Sequence, residues 1–112
     1  MRLWTIASTG CGVVLVVVSA VFAGDPANGK AIYEKNCVIC HGAQGRGDGP
    51  GAAMVRPKPT NFASPESRKK SDAELLKTIE SGSPGTPMAP WKEALSPQQI
   101  QDVLAYVRSL GR

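Results

Sequence analysis

Two cysteines stand three residues apart and are followed at once by a histidine, in the pentapeptide Cys37-Val38-Ile39-Cys40-His41. This is the spacing of covalent haem attachment. Two thiols so spaced at a helix end can reach the two vinyl groups on one edge of a porphyrin, and the next residue can turn its imidazole onto the iron. The pentapeptide therefore predicts one covalent haem c, bound through Cys37 and Cys40, with His41 as the proximal iron ligand.

Other uses of a cysteine pair fit the chain less well. A structural zinc site needs four ligands, usually as two pairs, and this chain has one histidine and no second cysteine pair. A thioredoxin-like dithiol needs a βαβ setting, and no alternating strand pattern occurs. The third cysteine, Cys11, lies in a segment that we expect to be removed. No disulfide framework is therefore predicted, although export would permit one.

Residues 1–23 have the three parts of a secretory signal. They are a basic start at Arg2, an apolar run centred on 13–18 and a small-residue end at Ala23. We predict cleavage after Ala23, which leaves one domain at 24–112 outside the cytoplasm, in the periplasm. The alternative is an uncleaved membrane anchor, because the uncharged run of 22 residues at 3–24 is long enough to span a bilayer.

The charge balance of the remaining domain is mild. Removing residues 1–23 takes away only Arg2 and leaves 12 Lys and Arg against 9 Asp and Glu. This balance and the lack of a basic stripe studded with aromatic residues argue against a nucleic-acid partner. The run Arg68-Lys69-Lys70 is interpreted as ordinary solvated surface, with steering of an acidic partner as the alternative.

Three helices are predicted, each from a start signal. Asp25-Pro26 combines a capping side chain with a proline at the first helical position, and this helix should end near Asn36. Ser71 opens a second helix that ends at Gly82, and Ser96 opens a third that ends at Gly111. Both serines stand three residues before Glu or Gln, which is a capping-box pattern. The third helix carries an apolar stripe at helical spacing. The domain is therefore predicted to be all-α.

The segments between these helices are predicted to be irregular. Residues 42–67 contain five glycines before residue 52 and three prolines after it, including Pro65, which break any regular element. A short helical turn is allowed at 51–55. A loop of this length in a small domain should wrap around a buried object. Residues 83–90 form a second loop, stiffened by three prolines, and a large apolar cofactor would fill the space between the loops.

The iron position opposite His41 is either filled by methionine or open, since the chain has no second histidine. Met88 lies 47 residues after His41, and Pro87 and Pro90 restrict the backbone on either side of it. Met54 lies in the glycine-rich loop, where it would pack against the ring edge as core filler. We predict Met88 as the second axial ligand.

These features together resemble class I c-type cytochromes, and most closely the bacterial monohaem group related to the cytochrome subunits of cbb3-type oxidases. The resemblance rests on five segments in this order along the chain: Cys37–Gly42, Gly47–Pro50, Met54–Phe62, Met88–Trp91 and Leu95–Leu110. It implies a cytochrome c fold for 24–112, with three main helices and Gly/Pro-rich loops around one haem c. It also implies axial ligation by His41 and Met88.

The resemblance further implies roles for individual residues. The first and last helices should cross where Gly29 and Tyr33 meet Tyr106, which would explain a glycine inside a helix. A loop proline carbonyl should hold Nδ1–H of the proximal histidine. Pro50 matches that role best and Pro57 is its rival.

Phe62 and Trp91 are expected to pack near the macrocycle, with generic core packing as the alternative. The expected function is one-electron transfer between redox proteins, with no small-molecule substrate and no catalysis by the monomeric protein. A membrane oxidase or dehydrogenase is a candidate partner. The alternatives are a haem-based ligand-binding or sensor protein with an open sixth iron position, and a permanently docked cytochrome subunit of a membrane oxidoreductase.

Overall fold

The computed structural model describes residues 10–16 and 24–112. The predicted signal peptide at 1–23 falls largely outside these residues, so its cleavage stays a prediction. Among the described residues, no helix has both the length and the apolar character needed to cross a membrane.

The described residues contain helices and irregular segments and no strand, which confirms the all-α prediction. The three predicted helices are the three longest. The helices are α1 (Pro26–Asn36), α2 (Val38–His41), α3 (Pro65–Lys69), α4 (Asp72–Ser81) and α5 (Pro97–Leu110), with a 3-10 turn at Ala52–Met54.

The three long helices begin at the predicted caps. The Asp25 side chain accepts hydrogen bonds from two backbone N–H groups in the first turn of α1. Ser71 and Ser96 form complete capping boxes with Glu74 and Gln99, so each serine and its partner satisfy one another's backbone N–H. Caps of this kind contribute about 1 kcal/mol each, because the first N–H groups of a helix have no partner within it.

Helices α1 and α5 cross, as the resemblance implied. A side chain at Gly29 would overlap the Asp102 carbonyl and lie 3.0 Å from the Val103 nitrogen, so only glycine allows this approach. The Tyr33 ring meets Tyr106 edge-on, with 5.2 Å between ring centroids. The closest approach of Gly29 is therefore to the α5 backbone at Asp102. A cluster of buried residues lies at this crossing and consists of Ile32, Tyr33, Val103 and Val107.

A buried carboxylate also joins the two helices. Asp102 is 4% exposed. Its side chain accepts hydrogen bonds from the Asp25 backbone N–H (2.8 Å), Asn28 Nδ2 (2.7 Å) and Gln98 Nε2 (2.9 Å). These bonds, led by that from Asp25, hold the pKa of Asp102 below its usual value, against the opposing effect of burial. Asp102 thus ties the start of α1 to α5.

The prediction that Pro65 breaks regular structure is wrong. Pro65 is the first residue of α3, and the Ser64 side chain caps that helix by accepting a bond from the Ser67 N–H. Proline suits this position because its φ is already helical and its missing N–H would have had no partner. The short turn allowed at 51–55 is confirmed by the 3-10 turn.

Arg108 of α5 holds the junction between α3 and α4. Its Nε lies 2.7 Å from Asp72 Oδ1, and its two terminal nitrogens donate to the backbone carbonyls of Ser67 and Lys70. One guanidinium group therefore contacts three residues at the junction of these two helices.

Candidate haem site

The cysteine pair lies on the short helix α2 and on the residue before it. Cys37 closes α1, where its N–H bonds to the Tyr33 carbonyl, and also caps the start of α2. Cys37 and Cys40 are half-buried free thiols, whereas Ile39 between them is 63% exposed. Burial raises the pKa of Cys37 to about 11, so the thiol is protonated at neutral pH. Both sulfurs are available for bonds to a cofactor.

His41 ends α2 with its imidazole held on two sides. Its Nδ1 lies 3.2 Å from the Thr60 carbonyl oxygen. Because a carbonyl only accepts, Nδ1 carries the proton and Nε2 has a free lone pair. The Phe62 ring stacks on the imidazole, with 4.7 Å between centroids and 18° between planes. Burial lowers the pKa of His41, which favours the neutral ring that a metal needs.

The prediction that Pro50 supplies the carbonyl that binds His41 Nδ1 is wrong, and the alternative prediction of Pro57 is wrong as well. Thr60 takes that role. The chain returns past His41 at residues 59–62, where the Phe62 N–H also bonds to the Gly45 carbonyl at 2.8 Å. Pro50 is exposed and lies in a segment that contacts α2 through N–H groups instead. Because every residue has a carbonyl, no side-chain pattern marked Thr60.

The glycine-rich segment Gly45–Gly51, here called the glycine loop, caps the end of α2. Its alternate N–H groups donate to successive α2 carbonyls: Gly47 to His41 (2.9 Å), Gly49 to Cys40 (3.1 Å) and Gly51 to Ile39 (2.7 Å). The last carbonyls of a helix have no partner within it. The glycine loop supplies these partners, so it is built onto α2 rather than hanging free.

Close approach explains why glycines occupy positions 45, 47 and 49. A side chain at Gly49 would overlap the carbonyl oxygens of Val38 and Ile39, and one at Gly47 would overlap that of Pro59. A side chain at Gly45 would lie 2.6 Å from the Phe62 ring. The intervening residues of the glycine loop are exposed.

The second loop holds Met88 by its backbone. The Met88 carbonyl accepts from the Ser83 N–H at 3.1 Å, and the Met88 N–H donates to Thr86 Oγ1 at 3.2 Å. Trp91 is half-buried, and its backbone N–H donates to the Ile79 carbonyl of α4 at 3.0 Å. Met88 is half-buried, whereas Met54 is 87% exposed. Met88 is thus the less exposed of the two methionines.

The residues present fit a covalent haem c. Two free thiols, a neutral imidazole with Nε2 available and a fixed methionine form the required donor set. Half-buried apolar side chains on α4 and the loops could cover the ring: Phe62, Ile79, Trp91 and Leu95. The described residues contain no group of three or more His, Cys, Asp or Glu side chains that could hold a metal ion such as zinc.

Known proteins resemble this chain along most of its length. Residues 26–111 match the family described as Cytochrome c. The chain is 38% identical over 88 residues to the cbb3-type cytochrome c oxidase subunit FixP of Bradyrhizobium diazoefficiens, covering 78% of this chain and 28% of FixP. It is 36% identical over 94 residues to cytochrome c-554(547) of Halothiobacillus neapolitanus, covering 79% of this chain and 99% of that cytochrome.

A solved structure has the same fold. A chain of the Kuenenia stuttgartiensis reducing HAO-like protein complex Kustc0457/Kustc0458 superposes with a TM-score of 0.69 at 31% identity, covering 80% of this chain and 44% of that one. The chain thus spans little more than a quarter of FixP and less than half of the complex subunit, but nearly all of the small cytochrome.

Proposed function

The chain belongs to the cytochrome c family, and from this premise we propose that residues 24–112 carry single electrons on one covalently bound haem c. The observation that carries the proposal is the arrangement on α2. Two free thiols stand beside a histidine whose Nδ1–H is engaged by Thr60 and whose Nε2 is available. The haem supplies the one-electron iron couple when bound. The chain's own residues hold it, orient its ligands and limit its contact with water.

Cys37 and Cys40 would attach the haem, and His41 and Met88 would bind its iron. The hydrogen bond from Nδ1 to Thr60 fixes the ring orientation and makes Nε2 a better donor, as partners of metal-bound histidines do. The hydrogen bonds from the Met88 backbone to Ser83 and Thr86 support Met88 as a ligand, because a weak thioether ligand needs a fixed backbone. Methionine and histidine ligation raises the reduction potential, which suits an electron carrier with no substrate.

We propose redox proteins as partners and a location outside the cytoplasm. FixP is named as a subunit of a cbb3-type oxidase, which supports a membrane oxidase as one candidate partner. The small relative that the match covers to 99% is named as a cytochrome, which favours a separate carrier over a sensor. We also propose that residues 1–23 are a cleaved signal. Intact mass of the exported protein would show the chain starting at Gly24, or would show the segment retained.

Expression with a haem-attachment system tests the site. The purified wild type should gain the mass of one haem, and replacing both Cys37 and Cys40 by alanine should abolish that gain. Wild-type ferric protein should show the weak long-wavelength absorption band of methionine-ligated haem. Met88→Ala should lose this band, while the matched control Met54→Ala should keep it. The reverse pattern would exchange the two methionines, and a wild type without the band would refute methionine ligation.

A further inference from the structure

Tyr33 has a buried hydroxyl group that packing alone does not explain. The residue is 0% exposed, and its Oη donates a hydrogen bond to the Gly42 carbonyl at 2.6 Å. Burial, followed by the effect of nearby Cys37, raises the pKa of Tyr33 well above its usual value. The hydroxyl therefore remains a hydrogen-bond donor at physiological pH. A phenylalanine ring would fill the same core space without that donor.

The acceptor of this bond lies next to the proposed proximal ligand. Gly42 directly follows His41 and turns the chain away from α2 with φ +83° and ψ 161°. This backbone conformation is open to glycine and unfavourable for other residues. The Gly42 carbonyl also accepts a bond from the Gly45 N–H at 3.1 Å. Tyr33 thus anchors the peptide after His41 to α1, nine residues earlier in the chain.

Tyr33 also reaches the imidazole through Phe62. Its ring packs edge-on against Phe62 with 6.5 Å between centroids, and Phe62 stacks on His41. His41 is thus held at three places: Phe62 packs on its ring, the Thr60 carbonyl binds its Nδ1, and Tyr33 binds the carbonyl of the next residue. Tyr33 takes part in two of them without touching a metal ligand's own donor atom.

We propose that Tyr33 is a positioning residue whose hydroxyl, through the Gly42 carbonyl, fixes His41 and sets the reduction potential of the haem iron. The proposal rests on the proposed function, in which His41 binds iron. The hydroxyl proton offsets partial negative charge at the carboxyl end of α2, where helix carbonyls point. Its removal leaves more negative charge near the iron, which favours the ferric state. Loss of the hydroxyl should therefore lower the reduction potential.

The second tyrosine of the chain offers a matched control. Tyr106 lies in the same helix crossing and its ring contacts Tyr33. Its hydroxyl has no hydrogen-bond partner within 24–112. Tyr33→Phe and Tyr106→Phe thus each remove one oxygen from the same aromatic group, but only the first removes a bond to the segment after His41.

The experiment measures midpoint potentials of the haem-loaded full chain by spectroelectrochemical titration. Tyr33→Phe should have a lower midpoint potential than wild type. As denaturant is added, it should also lose the methionine–haem absorption band at a lower denaturant concentration than wild type does. Tyr106→Phe should leave both unchanged. Equal shifts in the two variants, or no shift in either, would overturn the positioning role. A wild type that binds no haem would instead refute the proposed function.

A second variant keeps the test decisive if Tyr33→Phe fails to take up haem. The chain has two tyrosines, so incorporating 3-fluorotyrosine into Tyr106→Phe labels Tyr33 alone. Fluorine makes the hydroxyl a stronger donor with little change in ring volume, so the potential should rise above that of unlabelled Tyr106→Phe. An unchanged or lower potential would contradict the proposed effect of the hydroxyl.

Discussion

The glycine loop makes a sharp prediction at Gly49, because the structure leaves no room for a methyl group there. An added Cβ would overlap two α2 carbonyl oxygens and lie 2.7 Å from the Ile39 carbonyl carbon, where ordinary contact begins at 3.4 Å. Gly49 does not have a positive φ, so the obstacle is the close approach and not the backbone conformation. Gly49→Ala must push the glycine loop away from α2.

The expected cost follows from the bonds that this movement breaks. A shift approaching 1 Å would disrupt the Gly49–Cys40 and Gly51–Ile39 hydrogen bonds, now 3.1 and 2.7 Å long. Two such bonds contribute about 1 kcal/mol each, and forcing an extra carbon into a packed site adds about 1–3 kcal/mol. Alanine recovers about 0.4–1 kcal/mol by restricting the unfolded chain. The net loss in the free energy of unfolding should be about 3 kcal/mol.

Gly51→Ala is the matched control. Gly51 also donates its N–H to an α2 carbonyl and has φ −89°, but its added Cβ would lie 3.1 Å from the nearest atom, the Ile39 oxygen. A shift of a few tenths of an ångström relieves this contact, so the loss should stay below about 1 kcal/mol. Guanidinium titrations of the haem-loaded variants, followed by far-UV circular dichroism, compare the two. Equal losses would refute the reasoning from close approach.

Two side chains of α5 give further predictions for stability. Asp102→Asn should lower the free energy of unfolding by about 1–3 kcal/mol at neutral pH, since it weakens a buried acceptor with three donors. The folded pKa of Asp102 lies below its unfolded value of about 3.9. Its contribution is therefore present above about pH 4 and is lost as pH falls through the folded pKa, so denaturation curves should converge in acid. Arg108→Ala should destabilise more than Asp72→Ala, whose exposed ion pair contributes less than about 1 kcal/mol, because Arg108 also binds two backbone carbonyls. Equal losses at positions 108 and 72 would contradict that ranking.

Local signals in the sequence predicted the three long helices, whereas the short helix α2 was not predicted. Ser71 with Glu74, and Ser96 with Gln99, act through side chains close along the chain, so their spacing was sufficient. Gly29 inside α1 is a signal of another kind: a glycine destabilises the interior of a helix, and the close approach of another helix explains why it is there. The prediction at Pro65 was wrong because a proline can either end a helix or begin one. Here Ser64 precedes it and caps the new helix, so Pro65 begins α3.

The parts of the site that sequence could not predict are held by backbone groups. Thr60 binds His41 through a carbonyl that any residue would supply, and only the path of the loop brings it to Nδ1. The role of the glycine loop likewise lies in its N–H groups. Asp102 gave no signal because an acidic residue near the start of a helix usually faces solvent. Its three donors come together only when α1 crosses α5.

Backbone support of this kind suits the task proposed for α2. A helix of four residues is far too short to be stable alone, so it needs partners at both ends. Helix α1 supplies them at its start through Cys37, and the glycine loop supplies them at its end. Neither set of partners uses the thiols or the imidazole Nε2. Helix α2 is therefore fixed by main-chain hydrogen bonds, which leave its thiols and the imidazole Nε2 free for the haem. The proposed role of Tyr33 follows the same pattern, because its hydroxyl acts on His41 through a backbone carbonyl and does not itself bind the iron.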